Sequence, residues 1–189
     1  MKFVLATQNP HKVAEIRAVL PPDWEVLQPS DFGLSGELRE DGATLEANAT
    51  QKALFLWEQT GIPSLADDSG LEVDALGGAP GVDSAHFAGP ERSDSANRSK
   101  LLDALKDLED RRARFTTVLA WATADGVACY RGTVEGTIGV CERGSQGFGY
   151  DALFVPREGD GRSFAEMSAA EKTALSHRSR ALAAWRAKR

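Results

Sequence analysis

A chain of 189 residues, 42% apolar and 26% charged, has the composition of a globular protein and enough length to bury a substantial core, as one large domain or two small lobes. The formal net charge of −6 argues against a broad nucleic-acid or anionic-membrane surface, so any phosphate chemistry must come from a local cluster of cations. No apolar run approaches the roughly 20 residues that cross a bilayer, and "KFVLATQNPHK" carries no signal-peptide pattern, so a cytoplasmic protein is expected.

In chain order, "KFVLAT" predicts a strand and "NPHKVAEIRAVL" a helix, with Asn9 as N-cap, Pro10 at the first helical position and Val13, Ile16 and Leu20 on one face. "WEVLQP" predicts a second strand, and "DFGLSGELREDGA" a polar loop ending near Thr44. A long helix follows from Thr44 to Gln59, closed by Gly61. In "SLADDSGLEV" a short apolar run meets two adjacent acids and a glycine, the pattern of a strand that is finishing. "LEVDAL" is then a short strand before the turn-rich "GGAPG".

"SDSANRSKLLDALKDL" predicts a helix with Leu101, Leu102, Leu105 and Leu108 on its apolar side, and residues 113–139 a long hairpin turning at Asp125-Gly126. "GFGYDALFVP" is loop then strand, and one helix runs from about Ser168, where Ser168 and Glu171 form a capping box. Cys129 and Cys141 fit no zinc or CxxC spacing and read as small core residues rather than a disulfide. Helices alternating with strands around a long hairpin give a mixed α/β domain.

Four segments could carry chemistry. Thr7, Asn9 and Lys12 surround a helix N-terminus, where unpaired N–H groups and the positive dipole end favour anions, although a capped helix with a solvated lysine is the ordinary reading. In "ADDSG", Asp67 and Asp68 suit either a turn or a magnesium site that Glu40 and Asp41 would complete with further hard oxygens. On the C-terminal helix, Arg178 falls among Leu175, Leu182 and Trp185, where it snorkels, pairs with an acid or meets an anion; His177 points away, ordinarily as a surface histidine, and Lys172 lies near the edge, so the three could instead set two cations and an imidazole at one end of a cleft. Phe148, set between glycines, packs either on the core or against a nucleobase.

Taken in order, "LATQNPHK", "ADDSGLEVDALGGAPGVDSAHFAG", "GFGYDALF" and "SHR" closely resemble the inosine triphosphate pyrophosphatase family, hydrolases that remove non-standard purine nucleoside triphosphates, from Phe3 to about Leu182. The resemblance implies an elongated, strongly twisted mixed β-sheet with flanking helices, forming two lobes around a central cleft in a single domain over residues 1–189. This is the fold termed ITPase-like or anticodon-binding-like. It also implies a homodimer, a magnesium cofactor that manganese can replace, and a small-molecule nucleotide partner rather than nucleic acid or membrane.

Carried over by position, the resemblance makes Asp68 the proton acceptor and a metal ligand, Glu40 a second ligand and Asp67 a further candidate ligand. Lys12 and Lys52 would act on the phosphates, with Thr7, Gln8, Asn9, Pro10 and His11 binding the triphosphate beside Lys12. Ser69, Phe148, Gly149, Tyr150, Asp151, Lys172, His177 and Arg178 would hold the nucleotide and read its base. The family more often has an aromatic and a Glu where this chain has Leu45 and Ala47, an Arg at His86, and a Pro at Ala152. The implied reaction turns ITP, dITP or XTP into the nucleoside monophosphate and pyrophosphate. A Maf-like pyrophosphatase of other base specificity and a non-catalytic nucleotide sensor are the alternatives.

Overall fold

The structure, a computed structural model, describes every residue except Gln8, Glu37 and Arg189. Strand β1 (Lys2–Ala6) runs parallel to β2 (Glu25–Leu27) on one side and to β3 (Ser64–Val73) on the other. Helix α1 (Pro10–Val19) joins β1 to β2, and α2 (Leu45–Thr60) precedes β3. Because the crossover from β1 to β2 and the one from β2 to β3 run across the sheet in opposite directions and such connections are right-handed, α1 and α2 lie on opposite faces of the sheet. Asn9 caps α1 through Oδ1, which accepts the N–H groups of His11 and Lys12. Thr44 caps α2, and Gly61, at φ +66°, ends it in the left-handed conformation.

Helix α3 (Asp94–Ala104) leads to β4 (Arg112–Thr123), which turns through two residues into β5 (Gly126–Ile138), and β6 (Phe154–Pro156) pairs antiparallel with β5. The sheet order is β2-β1-β3-β4-β5-β6, a mixed, twisted six-stranded sheet with flanking helices. The chain divides into two compact units. One comprises Met1–Asp68, Thr117–Gly132 and Ala181–Arg189, the other Ser69–Thr116 and Thr133–Arg180. The first is built on Phe3, Leu5, Ile16, Leu65, Leu119, Leu182 and an aromatic cluster in which Phe3 meets Trp121 and Trp185 edge-on at 5.7 and 5.6 Å. The second is built on Leu71, Leu101, Leu105, Val134 and the packed rings of Phe115, Phe154 and Phe164. Each large buried side chain contributes about 1.5–3 kcal/mol, so these clusters supply most of the stabilisation.

Four sequence expectations change. The strand does not finish at the paired acids: β3 continues through Asp67, Asp68, Ser69 and Gly70 to Val73, absorbing the separate "LEVDAL" strand. Helix α3 ends at Ala104, which leaves Leu108 exposed while Leu101 and Leu105 are fully buried. The single C-terminal helix is two, α4 (Ala169–Leu175) and α5 (His177–Arg186). The break is at Ser176, whose extended backbone and hydroxyl, accepting the Ser179 N–H at 3.2 Å, start a new helix. Cys129 and Cys141 are exposed free thiols, not core residues. Among the described residues no helix is long and apolar enough to cross a membrane.

Candidate active site

Side chains alternate along a strand, so Asp67 and Asp68 leave β3 on opposite faces. Leu65 and Asp67 share the face covered by α1, whereas Ser64 and Asp68 share the α2 face, where the Ser64 hydroxyl donates to the Ala53 carbonyl at 2.5 Å. Each acid meets its own lysine. Lys12 Nζ pairs with Asp67 Oδ2 at 2.9 Å, and Lys52 Nζ lies 3.2 Å from Asp68 Oδ1. Lys52 also donates to Glu40 Oε1 at 2.5 Å and to the Asp67 carbonyl at 2.6 Å. Two adjacent carboxylates are thus tolerated inside a buried strand because helices on either side deliver a cation to each.

The charge balance differs between acid and base. Burial alone would lower Lys52, yet Asp68, Asp67 and Glu40 together raise it and keep it an ammonium. Burial raises the Asp68 carboxyl, and Lys52 and Lys12 only partly offset this because Glu40 and Asp67 push in the same direction as burial. One lysine is shared among Asp68, Asp67 and Glu40, so Asp68 receives only part of its charge. A carboxylate raised in this way is the better base.

Asn48, which the sequence reading overlooked, completes the setting. It is buried in α2, donates through Nδ2 to Asp68 Oδ2 at 3.3 Å and accepts the Gly42 N–H at 2.7 Å through Oδ1. It therefore orients Asp68 and ties down the loop that carries Glu40. The available signal was an Asn inside a helix, where it is a poor former and needs a partner. Asn48→Ala leaves both partners unsatisfied, costing about 1–3 kcal/mol. Misplacement of Asp68 is expected to lower kcat between about 10-fold and 100-fold, as steady-state kinetics beside chemical denaturation would show.

The second unit assembles the remaining candidates. Asp151 is buried, and its Oδ2 accepts both the Phe148 N–H at 2.9 Å and Lys172 Nζ at 2.6 Å. Lys172 lies 4.8 Å above the Phe148 ring centroid, with the Arg178 guanidinium carbon 5.9 Å from the same centroid. Arg178 donates to the Ser69 hydroxyl at 3.3 Å. His177 is not the surface histidine expected from helical spacing: it is buried and stacks on Phe115 at 4.7 Å with an interplanar angle of 12°. The break at Ser176 shifts its position. Tyr150 is buried and its hydroxyl donates to the Ser84 carbonyl, while burial pushes that phenol upward. Gly149 is clamped by Asp94, which accepts its N–H at 2.7 Å, and by Arg98, which donates to its carbonyl at 2.9 Å.

Ala152, where a proline would stiffen the turn, follows a turn already fixed by Asp151. Gly147 is required there: its φ is +74°, and a Cβ would lie 2.1 Å from Asp151 Oδ2. Gly147→Ala should destabilise the protein by about 1–3 kcal/mol through backbone strain and raise KM more than it lowers kcat, because the displaced turn is the one that carries Phe148. Helix α4, which bears Lys172, begins with the expected box: Glu171 accepts the Ser168 N–H and Arg162 Nη2, and its carboxyl is held at about 2, by Arg162 above all. A depressed carboxyl stabilises the fold above its unfolded value and loses that contribution as pH falls through the folded one. The difference in melting temperature between the native chain and Glu171→Gln should therefore narrow as pH is lowered from about 5 to about 2.5.

The structure therefore places Thr7, Asn9, Pro10, His11 and Lys12 at the α1 N-terminus, and Glu40, Lys52, Asp67 and Asp68 in one ionic cluster of the first unit. Ser69, Phe148, Gly149, Tyr150, Asp151, Lys172, His177 and Arg178 belong to the second unit. Gln8 lies outside the described residues. Asp41 turns away to Gln51 and Arg39. His86, on the surface, accepts a hydrogen bond from Arg92 Nε at 3.1 Å. No three His, Cys, Asp or Glu side chains gather into a metal site among the described residues. Glu40 and Asp68, however, each place an oxygen on the same ammonium. Two carboxylates with the remaining positions left to phosphate and water are the donor set that suits magnesium.

Comparison with known proteins adds a separate line. The profile of the Ham1 family matches residues 3–188. The chain is 53% identical over 182 residues to the dITP/XTP pyrophosphatase of Syntrophobacter fumaroxidans, covering 95% of this chain and 78% of that one. It is 49% identical over 188 residues to the protein of the same name from Thermus thermophilus, covering 97% and 89%. The Staphylococcus aureus Ham1 protein superposes with a TM-score of 0.90 at 36% identity, covering 99% of this chain and 97% of that one.

Proposed function

The chain belongs to the Ham1 family, and we propose that it hydrolyses non-standard purine nucleoside triphosphates, dITP, XTP and ITP, to the nucleoside monophosphate and pyrophosphate. The observation that carries this is the buried Asp68, held between Lys52 and Asn48 with Glu40 converging on the same point. The names of the relatives support the substrate class.

In this reading the N-terminus of α1 and Lys12 bind the phosphates, since the positive end of the helix dipole and a cation are gathered there. Asp68 orients and deprotonates the attacking water. Lys52 stabilises charge on the departing pyrophosphate. Magnesium, or manganese in its place, held by Glu40 and Asp68 with Asp67 as a further candidate, would neutralise phosphate charge. Phe148 stacks on the base, and Lys172, Arg178 and His177 present donors to a 6-oxo group. Adenine offers a 6-amino donor instead, which would leave those buried donors unpaired, and sites of this kind discriminate strongly. A homodimer working in the cytoplasm completes the proposal.

The test is selectivity. Measured with Mg²⁺, kcat/KM for dITP and XTP should exceed that for dATP by about 10²-fold or more. Equal rates on dATP and dITP would contradict the assignment of the base site.

A further inference from the structure

We propose that Lys52 keeps the divalent-cation position closed in the nucleotide-free protein, so that the cation is taken up with the nucleotide and not before it. This deepens the function proposed above and rests on Glu40 and Asp68 being the cation's ligands.

The Lys52 ammonium contacts Glu40 Oε1 at 2.5 Å, the Asp67 carbonyl at 2.6 Å and Asp68 Oδ1 at 3.2 Å, which occupies all three of its N–H donors. Its side chain is 4% exposed, so water does not compete for it. A magnesium ion would need Glu40 and Asp68 oxygens at about 2.0–2.1 Å. The ammonium already sits on one oxygen of each carboxylate, and two cations cannot share the point between those two oxygens. Lys52 must withdraw for the metal to enter.

Withdrawal without replacement would leave a buried ammonium unpaired. A triphosphate supplies acceptor oxygens for it, so the nucleotide is what makes the exchange feasible. The same contact has a second effect: it holds two like-charged carboxylates together before substrate arrives, so the ligands are assembled without the metal.

The test is Mn²⁺ binding to the nucleotide-free protein, followed by electron paramagnetic resonance and by thermal unfolding. Lys52→Met and Lys52→Gln, which remove the charge but keep a chain of similar length, should bind Mn²⁺ at least about tenfold more tightly than the native protein. Mn²⁺ alone should raise their melting temperatures while leaving that of the native protein unchanged. Adding Glu40→Gln to either variant should abolish the gain, which locates the ion. Adding an α,β-methylene analogue of dITP to the native protein should restore tight Mn²⁺ uptake, beyond what the analogue binds on its own. The inference is overturned if the native protein alone binds Mn²⁺ tightly at a site lost in Glu40→Gln, or if neither variant binds it more tightly than the native chain. If neither variant folds, that native-protein titration decides the matter by itself. Failure of the proposed function would show separately, as the wrong products from dITP, with the Mn²⁺ titrations unaffected.

Discussion

Asp68→Asn is expected to lower the turnover of dITP by about 10²–10⁴-fold, the range for losing a general base, while the protein remains folded. The substitution keeps the shape of the side chain and an oxygen for Lys52, and removes only the charge and the proton-accepting capacity. Asn48 then faces an amide in place of a carboxylate oxygen. The loss of that one hydrogen bond is worth about 1 kcal/mol, small beside the catalytic effect. The measurement is kcat alongside the melting temperature. Near-normal kcat in a folded Asp68→Asn protein would remove Asp68 from the chemistry.

Lys172→Met should have the largest effect on stability. Lys172 and Asp151 are both buried and meet at 2.6 Å, so removing the cation takes the ammonium away from a buried carboxylate inside the second unit. Breaking such a pair costs about 3–5 kcal/mol, a large share of the total stability of a domain. Urea unfolding would read it directly. Replacing both members, Lys172→Met with Asp151→Leu, should recover much of the loss, because the buried carboxylate is gone. Base selectivity should not recover, since the Phe148 turn would still lack its Asp151 acceptor and the cation over the ring. A single Lys172→Met variant as stable as the native chain would mean that the pair is not buried as described.

What the sequence revealed followed from interactions local in the chain. The Asn9-Pro10 start of α1, the Thr44 and Gly61 limits of α2 and the Ser168–Glu171 box each depend on residues within one helical turn, and each is found as expected. The paired acids were harder to read. Asp67 and Asp68 are poor strand formers and good turn formers, and what keeps them in β3 arrives from Lys12 and Lys52, on helices well outside the local turn. No spacing rule exposes a compensation of that range. The order of the motif blocks along the chain marked both lysines through family resemblance, but not the face to which each acid turns. That follows from strand alternation combined with the opposite placement of α1 and α2.

The C-terminal segment failed for a different reason. Apolar periodicity runs across Ser176 as though one helix continued, so the phase assigned to His177 was that of the wrong helix. A serine whose hydroxyl caps the following turn ends α4 and begins α5, which carries His177 into the core against Phe115. Asn48 escaped notice because its value lies in two partners, Gly42 and Asp68, that only the folded chain brings to it.

The most direct measurement is a single turnover of dITP with Mg²⁺ in ¹⁸O-enriched water, with products identified by ³¹P NMR and mass spectrometry. If Asp68 activates water and Lys52 stabilises the leaving group, as proposed, the products should be dIMP and pyrophosphate, with the label in dIMP. Orthophosphate with dIDP, or label in the pyrophosphate, would contradict the account.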